Sequence, residues 1–139
     1  ANTSRCAVAL AADAPPVDAV VGIEARGFLA GLATAQRLGV GFVAARKPGK
    51  LPGQLHQVSY DLEYGSDTLE LQIDALDADM NVMVVDDVLA TGGTMAAACE
   101  LVELSGASVA AVRCVLELAF LNGRDRLDGH DVRSLWADT

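Results

Sequence analysis

The sequence has few of the residues that mark basic, aromatic-rich or membrane-spanning proteins. Aromatic residues make up 4% of the 139-residue chain, and lysine occurs only at Lys47 and Lys50. No apolar stretch reaches the roughly 18–20 residues that a membrane helix needs, and no basic segment leads into an apolar one at the start of the chain, as in a signal peptide. These absences predict a soluble protein with no membrane partner.

Cysteine is scarce as well. Cys6, Cys99 and Cys114 are odd in number and lack CxxC spacing, which argues against both a disulfide framework and a zinc site. Each lies among apolar residues, a context typical of a buried free thiol. We therefore expect a reducing compartment and a cytoplasmic protein.

Positive charge is rare and concentrated. The formal net charge is −9 and the isoelectric point is near 4.4, so the chain as a whole would repel phosphate backbones, and we expect no nucleic-acid partner. Both lysines nevertheless stand beside Arg46 in the segment ARKPGKLPG. An ordinary exposed charged loop is one explanation. The concentration of cations in an acidic chain favours the other, which is anion capture.

The order of apolar segments predicts an α/β fold in one domain, residues 1–139. Val-rich strands that do not alternate with polar residues, separated by helices, are typical of a mostly parallel central sheet with helices on both faces. Hydrophobic residues, 52% of the chain, suffice for a core that we expect to include Tyr60, Trp136 and the phenylalanines. The predicted strands are 18–24, 40–44, 68–73, 81–87, 107–118 and a weak one at 131–136, and the predicted helices are 27–38 and about 94–104.

The segment VMVVDDVLATGGTMAA joins a predicted strand to a predicted helix. Ligands of open parallel sheets bind at the carboxyl ends of strands, and the glycine-rich turn exposes backbone N–H groups there, next to the positive end of the helix dipole. This is a predicted phosphate site, without the Walker or GxGxxG pattern. Asp86 and Asp87 would repel the phosphate itself. They are better suited to sugar hydroxyls or to a magnesium-bound ligand, so the pattern as a whole favours a ribose phosphate.

These residues resemble the phosphoribosyl pyrophosphate signature of type I phosphoribosyltransferases. The segments VVGIEARGF, ARKPGKLPG and SYDLEYGSDTLEL are similar to the adenine phosphoribosyltransferases in particular, over roughly residues 20–127. The resemblance implies a type I phosphoribosyltransferase fold with a flexible β-hairpin loop. It also implies a magnesium-dependent reaction of adenine with phosphoribosyl pyrophosphate that gives AMP and pyrophosphate, in a homodimer.

The resemblance also implies a role for each segment. Ribose hydroxyls would contact Asp86 and Asp87, and Asp87 would also engage the metal through water. The 5′-phosphate would be held by the amides and hydroxyls of the turn, which comprises Ala90, Thr91, Gly92, Gly93 and Thr94. Pyrophosphate would be held by Arg26 with the backbone of Ala25 and Gly27, and by Arg46, Lys47 and Lys50. Without the resemblance, Arg26 would be interpreted as a solvated residue at a helix N-terminus.

The segment 51–64 resembles the mobile catalytic loop of the family. Glu63 would approach the base near N7 and Tyr64 would help to close the site, whereas a plain surface hairpin is the alternative. Its punctuation by proline and glycine, and its mixture of polar and isolated apolar residues, predict a mobile lid that buries no continuous face.

Two other functions stay open at this point. The first is transfer to another purine base, since about seventeen residues precede Asp18 where family members usually carry several dozen, including a segment that frames the base. We therefore expect an N-terminal segment to be missing here. The second is a non-catalytic, regulatory protein that senses phosphoribosyl pyrophosphate, although the chain has no basic or helix-turn-helix region for nucleic acid.

Overall fold

A five-stranded parallel sheet in the order β2-β1-β5-β6-β7 forms the centre of the molecule. The structure is a computed structural model, and it describes residues 2–62 and 64–139. The strands are β1 Ala19–Ile23, β2 Gly41–Ala45, β3 Leu55–Leu62, β4 Gly65–Gln72, β5 Asn81–Leu89, β6 Ser108–Leu118 and β7 Val132–Asp138. The helices are α1 Asn2–Ala12, α2 Gly27–Leu38 and α3 Gly93–Leu104, with 3₁₀ turns at Ala119–Leu121 and Gly123–Leu127.

Alternate residues of the central strands enter two separate cores. Val20, Met83 and Val85 pack with α1 and α2 on one face, where Leu10 is buried. Val21 and Val84 point to the other face and pack with α3 and the β3-β4 hairpin. Because both faces are covered, these strands are apolar without alternation, as the sequence predicts.

Close packing of α2 on the sheet depends on two glycines. A Cβ placed at Gly22 would lie 2.6 Å from the ring of Phe42, and one at Gly31 would lie 2.9 Å from it. The ring therefore fills the space that side chains at these positions would need. The consequence for function is that α2 begins directly beside the end of β1.

The β3-β4 hairpin forms as an antiparallel pair in unbroken register from Leu55↔Gln72 to Leu62↔Gly65. The expectation that this segment buries no continuous face is wrong. Val58 and Tyr60, two residues apart on β3, are buried together with Leu69 and Leu71 of β4 against the α3 side of the core. The weak alternation in the sequence was thus a genuine two-residue repeat.

The predicted elements are confirmed with small shifts at their ends, and α2 has the predicted bounds 27–38. Helix α1 was not predicted. Tyr60 is a core residue, as expected, but Trp136 is 61% exposed and Phe120 is 59% exposed, so the prediction that these two are core is wrong. Cys99 and Cys114 are buried and Cys6 is half-buried. Within the described ranges, no helix is both long and apolar enough to cross a bilayer.

Candidate functional site

The carboxyl ends of β1 and β5, neighbouring parallel strands, open into one cleft. Its larger part is a cavity of about 240 Å³. A smaller cavity of about 70 Å³ lies beside it and shares Asp86, Val88 and Thr94 with the larger one. The larger cavity is also lined by Glu24, Ala25, Arg26, Lys47 and Asp87, and the smaller one by Leu89, Ala90, Thr91, Gly92 and Met95. Most of the predicted site residues therefore meet at one edge of the sheet.

The turn that leads into α3 forms the smaller cavity. Gly92 adopts φ = +91°, a left-handed conformation that favours glycine, and α3 starts at the next residue. No side chain caps this helix start, and the first backbone N–H groups of a helix have no partner within the helix. Free N–H groups and the positive end of the helix dipole thus converge on a space suited to a small anion.

Asp86 and Asp87 differ in environment although they are adjacent. Burial, reinforced by the charge of Asp87, raises the pKa of Asp86 to about 7 against the hydrogen bond from the Asp87 N–H. Asp87 instead pairs with Arg26 across the cleft, with Nη2 to Oδ2 at 3.0 Å. Gly27 permits this arrangement, because a Cβ there would lie 2.9 Å from Oδ1 of Asp86.

The carboxylate of Glu24 holds the basic segment, residues 46–50, in place. Its carboxylate accepts hydrogen bonds from Nε of Arg46 at 3.2 Å and from the backbone N–H of Lys47 at 2.9 Å, and it also pairs with the ammonium of Lys50. Burial alone would raise the pKa of Glu24, but these hydrogen bonds outweigh it and the pKa is lowered. The peptide bond that follows, between Glu24 and Ala25, is cis. The segment is therefore not a free surface loop.

The hairpin holds the same segment from the other side. The ammonium of Lys47 pairs with Asp67 of β4 and donates to the hydroxyl of Tyr60 at 3.1 Å. Burial would lower the pKa of Lys47, yet the two partners raise it above its usual value. The buried carboxylate of Glu70 accepts from the Gly49 N–H at 3.1 Å. Lys47 is thus bound within the protein, whereas Lys50 is 45% exposed.

Of the two remaining predicted residues, the structure describes Tyr64. Tyr64 is 94% exposed and lies in the turn between β3 and β4. Glu63 lies outside the described residues. Further down the hairpin, the ring of Tyr60 lies next to the first residue of α3, since a Cβ at Gly93 would lie 3.4 Å from its Cδ2 atom. The hairpin therefore crosses directly above the start of α3.

Comparison with known proteins agrees with this geometry. The phosphoribosyl transferase domain matches residues 12–136. The curated adenine phosphoribosyltransferase of Roseiflexus castenholzii is 56% identical over 119 residues, which cover 86% of this chain and 69% of the relative. The chain belongs to the phosphoribosyltransferase family, within the group of the adenine phosphoribosyltransferases.

Solved structures extend the match to nearly the whole chain. The adenine phosphoribosyltransferase of Thermoanaerobacter pseudethanolicus superposes with a TM-score of 0.93 at 47% identity and covers 99% of this chain and 80% of its own. The Saccharomyces cerevisiae enzyme, solved with an imino-altritol bisphosphate and adenine, gives a TM-score of 0.86 at 46% identity, over 96% of this chain and 76% of its own. The α/β fold is that of the type I phosphoribosyltransferases.

Several residues of this phosphoribosyltransferase site were not identified from the sequence. Glu24 and Asp67 are the carboxylates that pair with the basic segment, and they lie about twenty residues from it in the chain. Arg126 reaches the start of α3 from the 3₁₀ turn Gly123–Leu127. For Glu24 a signal existed, because it directly follows a buried strand and is the first residue of the EARG turn. Nothing in the sequence indicated Asp67 or Arg126.

Proposed function

We propose that this chain transfers the phosphoribosyl group from 5-phosphoribosyl 1-pyrophosphate to adenine and releases AMP and pyrophosphate, a purine-salvage reaction. One observation carries the proposal. The small cavity at the start of α3 adjoins a larger cavity lined by Arg26 and Lys47, and the two share Asp86 at the carboxyl ends of adjacent strands. A sugar that bears phosphate at one end and pyrophosphate at the other has this distribution of charge and hydroxyl groups.

In this proposal the cradle at the start of α3 binds the 5′-phosphate. The backbone N–H groups and the two threonine hydroxyls supply hydrogen bonds, and the helix dipole adds favourable electrostatics. The residues are Ala90, Thr91, Gly92, Gly93 and Thr94. Asp86 and Asp87 accept hydrogen bonds from the ribose hydroxyls between the two anions.

Pyrophosphate binds on the opposite side, to cations that already have carboxylate partners. Arg26 pairs with Asp87, Arg46 and Lys50 pair with Glu24, and Lys47 pairs with Asp67. Arg26 and Lys50 are the more exposed of these cations, so they can turn towards a ligand with the least rearrangement. The backbone of Ala25 and Gly27 borders the same cavity edge and supplies N–H donors.

Magnesium fits this arrangement as a companion of the ligand. Among the residues that the structure describes, no group of three or more potential ligand side chains gathers. Magnesium typically keeps several waters and binds through one or two carboxylates plus substrate phosphates, which matches a site that offers Asp87 and Asp86 alone. When bound, the ion would neutralise charge on the departing pyrophosphate. Asp87 would hold it through water.

The chemical demand on the protein is positioning and charge stabilisation. The bond from the ribose anomeric carbon to pyrophosphate breaks, positive charge develops on the sugar, and N9 of adenine then bonds to that carbon while adenine releases its imidazole N–H proton to solvent. Fixed contacts at both ends hold the ribose in line, and the cations stabilise the leaving group. Glu63 and Tyr64 would then approach the base and exclude water from the sugar cation.

The same proposal includes a homodimer in a reducing, cytoplasmic compartment. The three free cysteines support the compartment, since disulfides are rare in reducing compartments. Equilibrium sedimentation tests the dimer, and microscopy of a fluorescent fusion tests the compartment. A monomer at micromolar concentration would contradict the first, and secretion would contradict the second.

Activity is tested by incubating the protein with labelled adenine, phosphoribosyl pyrophosphate and magnesium and measuring AMP. We expect AMP only when magnesium is present, and adenine should outcompete hypoxanthine and guanine. Equal use of 6-oxopurines would favour transfer to another purine base. Tight binding of phosphoribosyl pyrophosphate without turnover of any base would favour a regulatory sensor.

A further inference from the structure

The 3₁₀ turn Gly123–Leu127 packs against the loop that precedes α3 with backbone on backbone. A Cβ at Gly92 would overlap the carbonyl oxygen of Gly123, and a Cβ at Gly123 would overlap the carbonyl oxygen of Ala90. The same Cβ would lie 3.2 Å from the backbone nitrogen of Gly92. No side chain fits between the two segments, so the turn forms one wall of the cradle.

Arg126 extends from this wall over the cradle. Its Cβ lies 3.2 Å from the position that a Cβ at Gly92 would occupy, and its Nη1 lies 3.2 Å from the corresponding position at Gly93. The guanidinium is thus next to the first residue of α3, whose N–H is one of the free donors of the helix. After a small rotation of its side chain, the guanidinium of Arg126 would reach a phosphate bound to those N–H groups.

The turn that carries Arg126 is anchored to the sheet by a second arginine. Arg124 donates from Nε and Nη2 to the carboxylate of Glu117, at 2.7 and 2.9 Å, and from Nη1 to the carbonyl of Val132 at 2.7 Å. The Ser134 hydroxyl donates to the same carboxylate at 2.9 Å. The hydrogen bonds from Arg124, followed by that from Ser134, lower the pKa of the buried Glu117 in spite of its burial. These hydrogen bonds fix the backbone of the turn, and with it the point from which the Arg126 side chain extends.

Arg126 differs from the other cations of the cleft in having no carboxylate partner among residues 2–62 and 64–139. Arg26, Arg46, Lys47 and Lys50 each form a salt bridge, whereas Arg126 forms none with any residue in 2–62 or 64–139. It is exposed. An anion can therefore bind to it without displacing a carboxylate of the described chain.

We propose that Arg126 is a further phosphate-binding residue, which closes the 5′-phosphate cradle from the side of the 3₁₀ turn. The inference rests on the proposed function, in which the 5′-phosphate occupies the cradle. A guanidinium forms paired, charge-assisted hydrogen bonds to phosphate oxygens, which a single ammonium does not reproduce. Arg126 then supplies the one formal positive charge of a cradle otherwise made of backbone and hydroxyl groups.

The test is calorimetric titration of ribose 5-phosphate and, separately, of magnesium pyrophosphate into wild type, Arg126→Gln, Arg126→Lys and Arg133→Gln. Arg133 is the matched control, an exposed arginine on β7 that pairs with Asp13 and Asp131 away from the cleft. Loss of one charge-assisted contact should lower the affinity for ribose 5-phosphate about ten- to a hundredfold in Arg126→Gln. Arg126→Lys should recover part of the loss, and Arg133→Gln should bind as wild type does.

Magnesium pyrophosphate distinguishes this role from a structural one. Its affinity should stay within about twofold of wild type in all variants, because its contacts lie on the far side of Asp86 and Asp87. Unchanged ribose 5-phosphate affinity in Arg126→Gln would overturn the inference and leave the proposed function standing. Equal loss of both ligands would overturn it as well, since Arg126 would then act on the fold. A wild-type protein that binds no ribose 5-phosphate would overturn the proposed function itself.

Discussion

The two ends of the cleft are built from different chemistry. At the start of α3, the cradle consists of backbone N–H groups whose position is fixed by the left-handed Gly92 and by contact with Gly123. On the other side of Asp86, the site consists of side-chain cations, each already paired with a carboxylate. One end is specified by shape and the other by charge.

The difference has a consequence for ligand binding. A cradle of backbone needs no rearrangement to accept an anion, but it tolerates no added side chain. A set of paired cations tolerates substitution, but a ligand must compete with Glu24, Asp67 and Asp87 for them. Substitutions at the first end should therefore change both stability and binding, whereas those at the second should change binding with little effect on stability.

Gly92→Ala should have the largest effect. It adds the strain of a left-handed φ and an overlap with the Gly123 carbonyl, together about 2–5 kcal/mol in the free energy of unfolding. Ribose 5-phosphate binding should fall more than a hundredfold, by the order of magnitude expected for a displaced cradle. Gly39→Ala is the control, because Gly39 has φ = +72° at the end of α2 but open space around it.

In the control we expect a loss of about 1–2 kcal/mol and no change in affinity. Denaturant unfolding and calorimetry measure both quantities. Equal destabilisation by the two substitutions would mean that the overlap with the Gly123 carbonyl does not affect the free energy of unfolding.

Arg26→Gln should have the next largest effect, confined to the pyrophosphate end. Its side chain is 83% exposed, so the free energy of unfolding should change little. Because a charged contact is lost, phosphoribosyl pyrophosphate and pyrophosphate should bind at least about tenfold more weakly than to wild type. Ribose 5-phosphate should bind about as it does to wild type. Arg37→Gln, an exposed arginine in the last turn of the same helix, is the control. An equal loss of affinity for ribose 5-phosphate would show that the two ends of the cleft do not bind their ligands independently.

Asp86→Asn should change the pH dependence of stability. Because the folded-state pKa is raised to about 7 from 3.8, the folded protein retains a proton that the unfolded chain has released. This carboxyl therefore lowers stability progressively as pH rises from about 4 to 7, and its cost is complete above that range. The asparagine removes the cost and still accepts the Asp87 N–H.

The gain from Asp86→Asn should be larger at pH 8 than at pH 5 by about 2 kcal/mol, measured by denaturant unfolding without magnesium. Asp74→Asn, at an exposed carboxylate, should show no such difference. A constant gain across this range would mean that Asp86 is ionised in the folded protein throughout.

Hydrogen exchange should show the smallest effect, in the hairpin. Because Val58, Tyr60, Leu69 and Leu71 are buried, their amides should exchange slowly with or without ligand. Added protection from phosphoribosyl pyrophosphate with an inert adenine analogue should be confined to about residues 61–66. Equal gains along the whole of 51–64 would restore the wider mobile lid that the sequence predicts.

The sheet and the cradle could be predicted because their signals are local. The apolar run before Asp86 is a buried strand, and the glycines that follow lie where a strand turns into a helix. Helix α2 follows from the apolar pattern of GFLAGLATAQRL. The prediction for Trp136 was wrong because its size predicts burial, whereas it lies near the end of the edge strand β7, where it is exposed.

The charge pairing could not be predicted because it joins residues that are distant in the chain. Glu24 meets Lys50 across 26 residues, and Lys47 meets Asp67 across 20. Arg126 stands in a polar turn with no pattern around it, and the packing of Gly123 on Gly92, together with the hydrogen bonds of Arg124, brings it to the cradle. Such contacts depend on how elements dock, which periodicity does not encode.

A double-mutant cycle with phosphoribosyl pyrophosphate, the ligand proposed to span both ends, tests the division of the cleft most directly. Thr91→Val removes a hydroxyl from the smaller cavity, and Lys50→Gln removes a cation paired with Glu24. Calorimetry of wild type, both single variants and the double variant gives their coupling energy. We predict that the two losses in binding free energy add to within about 0.5 kcal/mol. A coupling well above that value would contradict the separation of a shape-defined end from a charge-defined end.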